Sequence, residues 1–316
     1  MRKKIVVILC LFVPMLYATA LCKEPEKEVY MFSYFTGEGE DGLHLAYSYD
    51  GLNWQVLEDG KSFLAPQVGR NKLMRDPSIA QGPDGVFHLV WTTGWWDEGI
   101  GYASSKDLVN WSEQQNIPVM ENIDGTRNTW APEVFYDETS ETFYILWSST
   151  VTGAFPDSPV IKSDEGLDHR QYYVSTKDFK TFTNTSLYFD PGFCVIDGTV
   201  LKKDSTYYLF VKNENYEPAE KNIRVTYGHK PYDFPAAVSE PITGDYWAEG
   251  PSAIVIGEYT YVYFDKYMVG RYGAVRSKDM VNWEDVSDQI TFPSGARHGT
   301  AFKVSQKILE SIQSKK

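Results

Sequence analysis

Five aromatic segments with alternating apolar residues recur along the chain, at 29–35 (VYMFSYF), 86–91 (VFHLVW), 143–147 (FYILW), 207–211 (YYLFV) and 261–264 (YVYF). Each reads as a β-strand, and five of them at a period of roughly 55 residues read as one sheet unit repeated. Most are followed by a turn in which an Asp precedes an aromatic residue by four places: Asp50 and Trp54, Asp107 and Trp111, Asp178 and Phe182, Asp279 and Trp283. The fourth unit keeps only a degenerate version near Asp233. Because Trp54, Trp111 and Trp283 recur at one turn, they are expected to pack between blade strands and not to line a site.

Ahead of four of the strands lies a shorter motif that predicts an inner strand: 75–79, 131–134 with Glu133, 196–200 and 249–253. The strand at 29–35 has no such motif before it, while a fifth, Arg297-His298-Gly299-Thr300, has no strand after it. The two orphans complete each other. Segment 298–304 is therefore expected to form the inner strand of the blade whose outer strands come from 29–58. The fold class is all-β, a five-bladed β-propeller closed by pairing of N- and C-terminal strands, which leaves no long exposed sheet edge.

No Ser/Gly/Pro-rich linker or charge run interrupts the repeat, so residues 29–304 are expected to form one domain. Aromatics at 15%, with 24 Gly and 16 Pro, suit strands and turns. Residues 305–316 read as a helical tail, with Ile308 and Ile312 on one face, that caps a blade. Residues 1–20 have the parts of a signal peptide: basic Arg2, Lys3 and Lys4, an apolar run, and Ala18-Thr19-Ala20 before cleavage. The mature chain is expected to be exported (periplasmic, cell-surface or secreted) with no integral membrane segment. Cys22 offers the alternative of a lipid anchor, although Leu21 before it is a poor fit to that processing. Loss of the three basic residues takes the net charge from −13 to −16. So acidic a chain is not expected to have nucleic acid or anionic lipid as its main partner. Three cysteines imply no disulfide framework, and no Cys/His cluster has zinc spacing.

Asp76, Asp197 and Glu249 stand, in sequence, at one place in the recurring pattern, with an aromatic strand beginning ten to twelve residues after each. Equivalent positions of a propeller converge on its axis, so the three acids are expected to meet in one pocket. Each taken alone could cap a turn. Together they supply what inverting glycoside hydrolysis needs: a carboxylate base to activate water and a protonated carboxylic acid on the leaving oxygen, with a third carboxylate to keep that proton in place.

The ordered set Arg75-Asp76-Pro77-Ser78-Ile79, Trp130-Ala131-Pro132-Glu133, Ile196-Asp197-Gly198 and Glu249-Gly250-Pro251 resembles the blade-by-blade motifs of glycoside hydrolase family 43, over nearly the whole mature chain. The resemblance implies Asp76 as general base, Asp197 as the modulator that orients the acid and raises its pKa, and Glu249 as general acid, with inversion at the anomeric carbon. Gaps of 121 and 52 residues between them fit that scheme. Two positions depart from the family's pattern: many members carry Asp-Pro where this chain has Asp197-Gly198, and Asp where it has Glu133. Glu133 is accordingly a rival for the modulator role or an acceptor for sugar hydroxyls.

Trp95 and Trp96 are candidates for a sugar-stacking platform. Trp130 and Trp247 lie close enough to Glu133 and Glu249 to line the pocket. Lys212 could reach the pocket, and Arg75 could keep the base ionised, although strand alternation would send Arg75 and Asp76 to opposite faces. His298 resembles a histidine near the central channel of such propellers, where some members hold an ion. It is the one metal-ligand candidate, weighed against a hydrogen-bonded core role, and calcium is the ion considered. No cofactor is required by acid–base chemistry. The expected partner is an oligo- or polysaccharide, cleaved at a terminal sugar. An α-L-arabinofuranoside leads, with β-galactofuranoside, β-galactoside and β-xyloside as alternatives, and a non-catalytic carbohydrate-binding propeller as the competing class.

Overall fold

The computed structural model describes residues 28–156, 158 and 166–314. The expected signal peptide and the Cys22 anchor lie outside the described residues. Five antiparallel sheets succeed one another along the chain. The second blade is β4 (Arg75–Gln81), β5 (Phe87–Thr92), β6 (Ile100–Ser105) and β7 (Gln115–Ile117). The third is β8 (Trp130–Asp137), β9 (Thr142–Thr150), β10 (His169–Thr176) and β11 (Ser186–Phe189). The fourth is β12 (Val195–Lys203), β13 (Thr206–Asn213) and β14 (Ile223–Gly228), and the fifth is β15 (Glu249–Ile256), β16 (Tyr259–Lys266), β17 (Arg271–Ser277) and β18 (Glu284–Asp285). The fourth blade lacks an outermost strand, which is where the turn signature had degenerated.

The first blade is shared by the chain's two ends. Its inner strand is β19 (Arg297–Ser305), paired antiparallel with β1 (Glu28–Phe35), which pairs in turn with β2 (His44–Ser48), followed by β3 (Gln55–Val56). This is the closure that the two orphan segments predicted. Gly299 makes it possible: a Cβ there would fall 1.7 Å from the Ser33 carbonyl oxygen.

Apolar residues of adjacent blades face one another, so the core divides into five clusters, one at each interface. The Asp turns pin the outer ends. Asp50, Asp107 and Asp279 each accept two backbone N–H bonds and one from the amide of Asn53, Asn110 or Asn282. That reach lets the turn close without a partner strand. Trp54 packs edge-on against Phe32 and Tyr263, and Trp111 and Trp283 join the interface clusters, as their recurrence predicted. The helix α1 (Gln306–Gln313) buries Leu309 and Ile312 against the cluster between the first two blades, with Ile308 partly buried beside them.

Truncating Leu309 to Ala is expected to destabilise the fold by about 2–5 kcal/mol, as for other buried leucines. Gly299→Ala is expected to cost more, because the obstacle is backbone. Urea unfolding of both variants checks the order; a Gly299→Ala midpoint equal to wild type would mean that closure does not depend on that contact.

Candidate active site

The inner strands begin with a shared irregularity. In β4, β8, β12 and β15 the register with the neighbouring strand shifts after the first or second residue. The residue at the shift takes the left-handed conformation: Asp76 (φ +52°), Ala131 (+48°), Asp197 (+55°) and Gly250 (+59°). A bulge of this kind suspends alternation, so two consecutive side chains can serve one cavity. Arg75 and Asp76 therefore both line it, against the expectation from alternation.

Aligned on that bulge, the first places are Arg75, Trp130, Ile196, Glu249 and Arg297, and the second are Asp76, Ala131, Asp197, Gly250 and His298. Here the structure corrects the sequence reading. Asp76 and Asp197 do share one position, but Glu249 stands one place earlier, where the fifth blade needs glycine next. A Cβ on Gly250 would come within 2.5 Å of the His298 ring. All three acids nevertheless line one cavity of about 180 Å³, together with Arg75, Thr92, Trp95, Trp130, Lys212, Glu214, Tyr267, Arg297 and His298.

His298 is the cation at the centre. Its Nδ1 lies 3.2 Å from Asp76 Oδ1 and 4.0 Å from Asp197 Oδ2. Burial alone would depress the imidazole, but Asp197, Asp76 and Glu249 outweigh it and raise it to about 9. Burial likewise opposes ionisation of Asp76. The His298 charge and hydrogen bond, the Arg75 charge and a 2.8 Å bond from Thr92 Oγ1 bring it down to about 2. For Asp197 burial wins: with Glu249 and Asp76 adding to it, and His298 and Lys212 opposing, the carboxyl is pushed up to about 6. Two aspartates at one repeat position are thus moved in opposite directions, Asp76 down and Asp197 up, so Asp76 is the more firmly ionised of the pair.

Asp197 Oδ2 also accepts the backbone N–H of Gly250 at 3.0 Å, tying it to the residue after Glu249. Glu249 itself stands between cations, 3.1 Å from Lys212 Nζ and 3.6 Å from Arg297. Lys212 lies within β13 and is almost wholly buried. Burial opposes its charge, but Glu214, at 2.7 Å, with Glu249 and Asp197 keeps it protonated. Glu214 in turn bonds Lys221, so Lys212, Glu214 and Lys221 form one paired ion network with both lysines buried. The sequence reading also missed Thr92, Glu214, Tyr267 and Arg297; of these only Arg297, neighbour of His298 in a recognised motif, carried a signal.

Other expected site residues fall elsewhere. Glu133 is outside the cavity lining. Its carboxyl accepts from Thr199 Oγ1 at 2.6 Å and Thr300 Oγ1 at 3.2 Å, in two other blades, where burial raises its pKa against those hydroxyls. Those bonds join it to two other inner strands. Trp95 lines the cavity, but the Arg75 guanidinium covers its ring at 4.3 Å, and Trp96, outside the lining, is covered by Arg127 at 5.6 Å. Both rings remain 40% exposed. Trp130 does line the cavity, its Nε1 bonded to the Trp95 carbonyl; Trp247 packs near Tyr267 outside the lining.

A calcium cage would need six to eight oxygen ligands. Among the described residues no three His, Cys, Asp or Glu side chains gather to hold a metal ion. The His298 Nδ1 is also committed to Asp76, so these residues do not fit the ion considered.

Because the folded imidazole titrates near 9 and a free one near 6.5, His298 contributes stability that is fully present below pH 6.5 and lost as the pH rises through 9. Thermal melts at intervals from pH 6 to 9.5 should show Tm falling across that window in the wild type, and a flatter profile in His298→Gln. Parallel profiles would refute the charge assignment.

Comparison with known proteins agrees with this geometry. A family profile described as a probable glycosyl hydrolase domain, related to glycosyl hydrolase family 43, matches residues 26–310. An α-L-arabinofuranosidase of Bifidobacterium longum subsp. longum is 31% identical over 184 residues, which are 52% of this chain and 17% of that protein. The chain thus spans less than a fifth of that relative's length. Among solved structures, α-L-arabinofuranosidase from Lactobacillus brevis superposes with a TM-score of 0.54 at 16% identity, over 68% of this chain and 72% of the other. A thermostable family-43 glycoside hydrolase does so with 0.54 at 17%, over 71% and 78%. At these identities the likeness is one of fold.

Proposed function

The chain belongs to the glycosyl hydrolases related to family 43, and from that premise we propose that it is an exported glycosidase that removes a terminal α-L-arabinofuranosyl residue by an inverting acid–base mechanism. The observation that carries this is the convergence of Asp76, Asp197 and Glu249 on one cavity, with Asp76 held ionised against its burial by His298, Arg75 and Thr92. The choice of sugar is supported by the name of the Bifidobacterium protein. The leader at 1–20 supports export.

In this mechanism Asp76, fixed by His298 and Thr92, takes a proton from a water that attacks the anomeric carbon. The C–O bond to the leaving group breaks as Glu249 gives its proton to the departing oxygen. The product sugar carries the new hydroxyl on the opposite face. Asp197 holds the Gly250 backbone beside Glu249, in the modulator place that the family motif gives it. Arg75 steadies the ionised base, and its place over Trp95 stiffens the wall beside it.

Release of p-nitrophenol from a panel of glycosides tests the reading. The α-L-arabinofuranoside should be turned over fastest, ahead of β-D-galactofuranoside, β-D-galactopyranoside and β-D-xyloside. Asp76→Asn should abolish turnover of every substrate. Glu249→Gln should slow substrates with poor leaving groups by orders of magnitude and activated phenyl glycosides least. Asp197→Asn should move the alkaline limb of the pH profile to lower pH. A uniform loss in Glu249→Gln, or normal turnover in Asp76→Asn, would overturn the assignments.

A further inference from the structure

Near the end of the strand after the proposed acid stands a residue that the mechanism does not use. Asp265 lies in β16 directly across from Glu249 in the register of the fifth blade, and it is 2% exposed. Such a carboxyl needs partners to offset its loss of water. One oxygen, Oδ2, has no hydrogen bond among the described residues; its nearest cation is Arg297 Nε, at 3.8 Å. The carboxyl also accepts from the backbone N–H of His298.

The repeat says what this place is for. The equivalent residues opposite the first place of the second and third blades are Thr92 and Ser148. Their hydroxyls accept the N–H of the second-place residue of the next blade, Ala131 at 2.8 Å and Asp197 at 3.1 Å. Asp265 faces the backbone N–H of His298, second-place residue of the first blade, which helps hold its carboxyl down, so the same inter-blade place is occupied. A hydroxyl would suffice for this inter-blade hook. A carboxylate adds a charge, and the side chain within its reach is Arg297, which is otherwise shared loosely between Glu249 at 3.6 Å and Glu38 at 3.7 Å.

We propose that Asp265 is a positioning residue of this site, whose carboxylate fixes the Arg297–His298 pair, restraining Arg297 from closing on Glu249 and keeping His298 on Asp76. This rests on the acid–base reading given above. The groups that face Asp265 are Glu249 from β15, Arg297 and His298 from β19 and Tyr272, its register partner, from β17, with Glu38 reaching Arg297 from the far side. Burial and Glu249 push the Asp265 carboxyl up to about 7 against Arg297 and His298, so its charge changes in the range where such an enzyme would work. Without that charge, Arg297 can close its 3.6 Å gap to Glu249 and favour the carboxylate over the acid.

Asp265→Asn is the informative substitution, because its amide oxygen retains the hook and only the charge is lost. It is expected to shift the alkaline limb of the kcat/KM profile to lower pH. At neutral pH it should lower kcat at least tenfold for poor leaving groups and much less for activated phenyl glycosides, with KM within twofold. Asp265→Leu, which also removes the hook, should slow all substrates alike as His298 leaves Asp76. An Asp265→Asn enzyme with a lowered Tm but an unmoved pH profile and no dependence on leaving group would show a structural role only and overturn the proposal.

A second measurement needs no turnover. In protein labelled at histidine backbone nitrogen, the His298 amide resonance should move with pH through a midpoint near 7, and that movement should vanish in Asp265→Asn. Persistence of the movement in the variant would overturn the proposal. A wild type silent on every glycoside, with the amide titrating as expected, would instead retire the glycosidase reading and leave the placement of Asp265 standing.

Discussion

The site depends on one backbone event, the left-handed bulge near the start of the inner strands. A regular strand would aim every second residue into the cavity and give each blade one functional side chain. With the bulge, two neighbours from one blade can serve together, as Arg75 and Asp76 do, and the cavity draws on both first and second places. Asp tolerates positive φ better than most residues, and Gly250 adopts it freely. The functional need for an acid and the conformational need for a permissive residue therefore coincide at Asp76 and Asp197. At the fifth blade they separate: Gly250 yields its space to His298, and the carboxyl is carried by Glu249 one place earlier, on a longer side chain.

Much of this was legible in the sequence, for definite reasons. Strands of one aromatic type at a steady period reveal a propeller, and a motif lacking its strand at each end of the chain reveals how the ring closes. The three acids could be named because they stand at a fixed remove from those strands. Their offset could not. The distance to the next aromatic strand varies by a residue or two with hairpin length, which is as large as the difference between Glu249 and the two aspartates. Asp265 was invisible because it follows the last aromatic residue of its strand, where a charged residue reads as the start of a turn. Glu214 and Lys221 gave no signal because periodicity cannot distinguish a charge facing water from one paired in the interior. Glu133, a carboxyl in a recognised motif, accepts from threonines of two other blades, a pairing that no local pattern announces.

Charge balance explains why so many ionisable groups are tolerated in so small a space. Each buried charge at the cavity has at least one opposite neighbour: His298 for Asp76 and Asp197, Lys212 for Glu249 and Glu214, Arg297 for Asp265. A pair in the interior seldom adds stability over an apolar pair of the same shape, and removal of one member leaves a costly charge behind. The network is thus better understood as a means of holding protons at chosen atoms than as a means of holding the fold. The fold rests on the five apolar interfaces, which lie between the blades.

That division of labour bears on how the site can work. The cations are not interchangeable, since Lys212 is locked between two carboxylates at 2.7 and 3.1 Å, whereas Arg297 stands 3.6 to 3.8 Å from three. A locked cation fixes the field in which Glu249 acts; a loosely shared one can shift when a sugar enters and competes for it. Arg297 and His298 are consecutive on the strand that also closes the ring, so closure of the fold and placement of both cations are one event. Any change that loosens β19 would disturb the proposed base through His298 and the proposed acid through Arg297 together, although neither acid belongs to that strand.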